Sequence, residues 1–327
     1  MALMTLDNVF QDAVNAAVRA EFTGVRDSIL NDMEGRELFT TYEVDTANDT
    51  LQRMDGPGYA TLTIEGQKFG SNELWRDYPK AAQLRYYTSE LQFTKQDLHF
   101  LKKMVAQKND LKGQLRISDA VSSAIDPVAG VMQKDLAKMI YLSLGTTFFT
   151  GGDAKALVAS DHPIRKSGST QSNTATAAFA PTALVTGLNA MNRFQNMAAV
   201  QLKRVTNFAL VGGVGMESKF DEVLESMYGP YNALLGEQPS SRAAMRRRGI
   251  RQVQKIILGE IPSAYDNYWW IVDLDRAKNR LFNCIGWQPN LEEERQKSYG
   301  TLSYLSDVYF GPSALGWQFI YGSTGAA

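Results

Sequence analysis

The chain of 327 residues contains one cysteine and two histidines. A lone thiol, Cys284, closes no internal disulfide and builds no structural zinc site by itself; a reducing compartment fits it. With His99 and His162 as the only imidazoles, the supply for metal sites and for Ser–His or Cys–His mechanisms is thin. No apolar run reaches about 18 residues, so no transmembrane helix and no membrane partner are expected. The opening Met1-Ala-Leu-Met-Thr-Leu-Asp-Asn carries neither a basic nor an apolar targeting stretch, so a protein made and kept in the cytoplasm is expected. No repeat of about 20–50 residues stands out. A dominant charge is missing too: 34 Lys plus Arg stand against 35 Asp plus Glu, a formal net charge of −1. That excludes nucleic-acid binding through a whole-protein positive field and leaves self-association unopposed.

What is present is an ordinary globular composition, 44% hydrophobic and 21% charged, on a length that suggests roughly two domains. Behind Asp7 as N-cap, Phe10, Val14, Val18, Phe22, Val25 and Ile29 recur at spacings of three and four. This predicts an amphipathic helix over 7–30 that covers its own core or a neighbouring subunit. The turn cluster Met54-Asp-Gly-Pro-Gly-Tyr precedes an alternating Tyr59-Ala-Thr-Leu-Thr-Ile-Glu, and residues 82–93 read as a second long strand. Between the two, Phe69-Gly-Ser-Asn-Glu-Leu-Trp-Arg-Asp-Tyr-Pro is polar, aromatic and charged. A projecting hairpin held from outside its own domain is expected here.

Residues 94–110 read as helical. Asp126-Pro127 as N-cap and first position, a stripe from Val128 through Leu136 and Ile140 to Phe148, and Gly151-Gly152 as stop predict a helix over 126–149. Small polar residues at 166–180 read as a loop or boundary. The rest alternates irregularly: helices near 181–197 and 217–228, and strands at 208–212, 253–258, 268–272, 281–287, 302–309 and 316–321. That is a mixed α and β half without βαβ repeats.

Several segments invite a chemical reading. Gly212-Gly213-Val214-Gly215 lies between a strand and a helix, the setting of a phosphate-binding turn. It lacks the last glycine of G-x-G-x-x-G, where Ser218 stands, and the Lys-Ser/Thr of a P-loop; a tight strand-to-helix turn is the plainer reading. Asp161-His162-Pro163 has no companions at metal-ligand spacing and reads as structural. Glu292-Glu-Glu reads as a solvated face, Cys284 as a small buried hydrophobe, and Trp269-Trp270 as core. Arg242, Arg246, Arg247, Arg248, Arg251 and Lys255 form a local basic cluster in a neutral chain. It suits phosphates, acidic faces of a partner, or a merely solvated segment.

The order of parts resembles the tailed-phage major capsid protein of the Hong Kong 97 type, and the local text is similar to the Mu-like major head subunit group. The resemblance rests on an N-terminal arm, a long hairpin, one long helix and a mixed domain ending on a strand. Its most telling stretches are Ala156-Leu-Val-Ala-Ser-Asp-His-Pro and Gly311-Pro-Ser-Ala-Leu-Gly-Trp-Gln-Phe-Ile-Tyr-Gly. It implies an α+β fold with an N-terminal arm over 1–50 and an extended loop (E-loop) over 51–88. A peripheral domain would take 89–178 and 296–327 with a spine helix at 126–149, and an axial domain 179–295.

The implied function is a head protein, not an enzyme, with no cofactor and no metal. It would self-assemble into hexamers and pentamers of an icosahedral shell around double-stranded DNA, in the virion and, during assembly, in the host cytoplasm. The implied partners are further copies, a scaffolding protein (a separate one, since the arm begins near Met1), a portal and a decoration protein. Phe69, Trp75, Arg76, Asp77 and Arg85 are candidates for inter-subunit contact. Lys68 and Lys80 fall in the loop region, but no Asn acceptor or activating Glu can be matched, so no cross-link is carried over. Two alternatives stand beside this reading: an encapsulin-type shell of the same fold, and a nucleotide-binding enzyme using Gly212–Gly215.

Overall fold

A computed structural model describes residues 35–44, 50–51, 54–55, 75–93, 127, 130–228, 249–296 and 301–326. The expected helices at 7–30 and 94–110, the strand at 59–65, Phe69, Lys68 and Arg242–Arg248 lie outside the described residues. So do the side chains of Trp75 and Glu292–Glu294. By its internal contacts the chain divides into two compact units. The first comprises Met1–Met33, Leu84–Lys134 and Ile285–Gly311; the second comprises Glu34–Gln83, Asp135–Cys284 and Pro312–Ala327.

Strands in the first part of the chain are β1 (Thr40–Glu43), β2 (Thr50–Leu51), β3 (Met54–Asp55), β4 (Trp75–Arg76), β5 (Lys80–Ala81) and β6 (Arg85–Phe93). A helix, α1, covers 130–141. Then come β7 (His162–Pro163), β8 (Thr170–Gln171), β9 (Thr174–Ala175) and α2 (Pro181–Asn192). They are followed by β10 (Asn207–Gly212), α3 (Glu217–Tyr228), β11 (Gln252–Ile257), β12 (Trp269–Asp273) and α4 (Leu274–Ala277). The chain ends with β13 (Leu281–Gln296), β14 (Thr301–Ala314) and β15 (Ile320–Ser323). β13 and β14 each carry residues of both units.

The second unit is built on a five-stranded mixed sheet in the order β11-β10-β12-β15-β9. β10 runs parallel to β11 and antiparallel to β12, which is antiparallel to β15. Phe208-Ala-Leu-Val and Trp269-Trp-Ile-Val read as unbroken apolar runs because both faces of these strands are covered; every one of the eight residues is 0% exposed. On one face Phe179 sets its ring edge-on against Phe220 of α3 at 4.8 Å and against Trp269 at 5.3 Å. α2 lies close on the same face through Gly187, where a Cβ would come within 2.7 Å of Ile271 Cδ1. On the other face the Trp270 indole N–H donates to Ser143 Oγ at 3.1 Å.

That contact explains why α1 stops short of the expected 149. From Leu142 the backbone tightens into turns, Gly145 N–H donating to Leu142 O and Val158 N–H to Ser143 O. Ser143 is drawn into the core, while Gly145, Thr146 and Thr147 offer weak helix propensity. Gly151-Gly152 does other work. A Cβ on Gly152 would lie 2.7 Å from Pro79 O, so the glycine lets the 78–79 backbone approach.

The hairpin is seen at its base. β2 pairs antiparallel with β5, and β3 with β4, so 50–55 runs out and 75–81 returns. This corrects the expected return strand: 85–93 is a strand, but its partner is β14, with Arg85 opposite Phe310 and Phe93 opposite Leu302. Residues 166–180, read as a loop, supply β8 and β9, and β9 joins the sheet parallel to β15.

Candidate functional site

In the first unit β13, β14 and β6 lie side by side in that order. Along β14 the pleat buries Ser306, Val308 and Phe310 on one face and turns Leu305, Asp307 and Tyr309 to the other. Register then places Tyr86 opposite Tyr309 and Thr88 opposite Asp307. The open face carries Tyr86 at 54% and Trp287 at 45% exposure. Asp307 Oδ2 accepts from Tyr86 OH at 3.2 Å and from the Trp287 indole N–H at 3.2 Å. The Trp287 ring centre stands 4.7 Å from that of Tyr309 and 5.9 Å from that of Tyr86. Tyr309 reaches this place by lying over Gly286, where a Cβ would come within 2.4 Å of its ring. Together these side chains form an exposed aromatic surface fixed around one carboxylate. Sequence reading missed it because it depends on a register between strands more than 200 residues apart.

Among the candidates named from sequence, Arg76 is exposed at the hairpin base and Arg85 is half-buried on β6. Asp77 is a correction. It is 2% exposed within its own chain, its Oδ1 accepting from the Tyr78 N–H at 2.7 Å, and is not available to a neighbour. It lines a cavity of about 10 Å³ together with Tyr78, Asp153, His162, Gly316 and Trp317, room for about one water. His162 is buried there. Its Nδ1 is 2.8 Å from Asp153 Oδ2 and its ring stacks on Trp317 at 4.4 Å, a structural histidine as expected. Lys80 holds its amine 5.0 Å over the Phe149 ring, and burial lowers its pKa.

The glycine turn is packed, not open. A Cβ on Gly213 would meet Ile261 at 3.2 Å, and one on Gly215 would meet Asp266 Cγ at 2.9 Å. Glu217 begins α3. The Asp266 side chain packs beside this turn, so an anion placed here would meet a like charge at close range. Of the basic cluster, Arg251 is exposed. Lys255 is matched within the chain by Asp221 at 2.8 Å and Glu217 at 3.3 Å, which hold its pKa up. Cys284 and the Trp269–Trp270 pair are fully buried, as expected. Among the described residues, no group of three or more His, Cys, Asp or Glu is placed to hold a metal ion, and no helix is long and apolar enough to cross a membrane.

No protein-family model matches the chain, and no curated protein does. Solved structures do. The capsid subunit of cyanophage A-1(L) superposes with a TM-score of 0.51 at 12% identity, covering 90% of this chain and 93% of that one. The capsid of the Myoviridae phage XM1 gives 0.48 at 11% identity over 89% and 90%. A virus-like particle from Pyrococcus furiosus gives 0.46 at 10% over 95% and 98%. The first of these carries the assignment: the chain has the α+β fold of the phage capsid subunit, the Hong Kong 97 type.

Proposed function

We propose that this chain is the major capsid protein of a tailed phage, a structural protein whose work is assembly and not catalysis. What supports the reading is the extent of the shared fold, 90% of this chain on 93% of a cyanophage capsid chain. In this reading many copies form hexamers and pentamers of one icosahedral shell. The hairpin rising from 50–55 and 75–81 serves as the extended loop over a neighbouring subunit, and residues 1–50 serve as the arm. Residues 89–178 and 296–327 are the peripheral domain and 179–295 the axial one. A scaffolding protein, a portal and a decoration protein are the accessory partners, and double-stranded DNA is held by non-specific contact. Arg242–Arg251 supply positive charge to that contact or to a neighbour's acidic face. Phe69, Trp75, Arg76 and Arg85 are subunit contacts, and the protein resides in the virion after assembly in the host cytoplasm.

The direct test is electron microscopy of the purified full-length chain, alone and with its scaffolding protein. Closed shells of uniform size are expected. A monodisperse monomer at every concentration and in both preparations overturns the reading.

A further inference from the structure

We propose that the open face formed by Tyr86, Asp307, Tyr309 and Trp287 is a docking site for an arginine side chain, Arg76, of a second copy of this chain. The inference rests on the shell reading above and adds the chemistry of one contact to it.

Three observations lead there. First, the face is built to receive a cation. Among the described side chains Asp307 and Glu90 are its acidic groups, Glu90 lying exposed on β6 two residues beyond Thr88, on the same face as Tyr86. The two hydrogen bonds to Asp307 both come from neutral donors on Oδ2, so they leave its charge uncompensated, and Oδ1 is buried out of reach of an incoming group. Neither carboxylate is ion-paired to any described residue. A planar guanidinium stacks on indole and phenol faces while meeting a carboxylate at its edge, so one side chain satisfies both features.

Second, the aromatic groups are already ordered. Trp287 and Tyr86 are tethered to Asp307, and Tyr309 is seated on Gly286. Little side-chain freedom remains to be lost on binding, the condition under which exposed Tyr and Trp act as anchors.

Third, Arg76 stands where an occupant is needed. It is exposed, has no ion pair among the described residues, and sits on β4. Among the described residues the β2–β5 and β3–β4 ladders are two-stranded and joined to no larger sheet. A two-stranded ribbon is marginal in water unless it packs on another surface. The ribbon's base at 77–82 packs on its own chain, while Arg76 just beyond it stays exposed, so an uncompensated cation is left to complement a fixed surface that lacks one.

The test is a charge exchange in full-length protein. Arg76→Asp and Asp307→Arg are made separately, checked for unchanged thermal unfolding, and followed by sedimentation velocity. Each alone is expected to associate at least about tenfold more weakly than wild type. An equimolar mixture is expected to recover association, because each chain then supplies the group the other lacks. Failure of the mixture to recover, with both variants folded, overturns the proposal. Recovery only when both substitutions sit in one chain also overturns it, since the contact would then lie within a subunit. Should Asp307→Arg not fold, Trp287→Ala takes its place: weakened association at unchanged unfolding is expected, and unchanged association overturns the site. Electron microscopy separates this from the shell reading. Wild-type protein that associates without forming shells refutes the shell while the exchange still decides the contact. Shells from every variant refute the contact alone.

Discussion

The thiol of Cys284 is 0% exposed in the apolar start of β13, and burial pushes it up to about 12. At pH 8 a group of that strength is about one part in ten thousand thiolate, against roughly a quarter for an ordinary cysteine. A water-soluble disulfide reagent is therefore expected to react with the native chain at least about a thousandfold more slowly than with the chain in guanidinium. Rapid native labelling would show Cys284 to be open to solvent. The same burial logic made Cys284, Trp269, Trp270 and His162 legible as structural from their neighbours in sequence. It failed at Asp77, which stands in a charged, aromatic stretch that looks exposed. Only the fold brings Gly316 and Trp317 around the same small cavity.

At the scale of elements, Asp273 shows how one residue joins several. It ends β12 and caps α4, accepting from the N–H groups of Asp275 and Arg276, each at 3.1 Å, and pairing with Arg276 Nε at 2.9 Å. Arg276 in turn donates to Gln318 O at 2.9 Å, and to Met191 O near the end of α2 at 3.4 Å. Burial is the largest influence on Asp273 and raises its carboxyl above the ordinary 3.8, against the opposing pull of Arg276. A raised acid contributes stability that is complete below 3.8 and is lost as pH climbs through the folded value. Asp273→Asn keeps an oxygen for the two N–H groups and removes the titration. The stability of wild type relative to Asp273→Asn, from urea unfolding, is thus expected to fall as pH rises from about 3.5 to about 7; a rise would contradict the assignment. Elements with strong local signals were readable: 217–228 is α3, and the apolar runs at 208–211 and 269–272 are central strands. The length of α1 was not, because its stripe continues to Phe148 while Ser143 is diverted to Trp270. Nor was the partner of 85–93, since alternation marks a strand without saying which strand lies beside it.

At the scale of the whole molecule, the order and lengths of the parts carried the fold, and a net charge of −1 is compatible with the packing among many copies proposed above. The aromatic face around Asp307 stayed hidden because it is a property of register between distant strands, not of any single segment. The hairpin allows the most direct test of that division. Its strands are antiparallel up to the Asp55–Trp75 pair, so a two-residue Asn-Gly turn can close the ladder in place of residues 56–74. The shortened chain retains every residue of the five-stranded sheet and its covering helices. Its thermal unfolding is therefore expected to stay within about 1 kcal/mol of the full chain's stability. If the removed segment is held by a neighbour and not by its own subunit, closed shells disappear from electron micrographs while the folded protein remains soluble. Normal shells from this deletion would show that the hairpin tip plays no part in assembly. A chain that loses its fold as well would show that the tip belongs energetically to its own subunit.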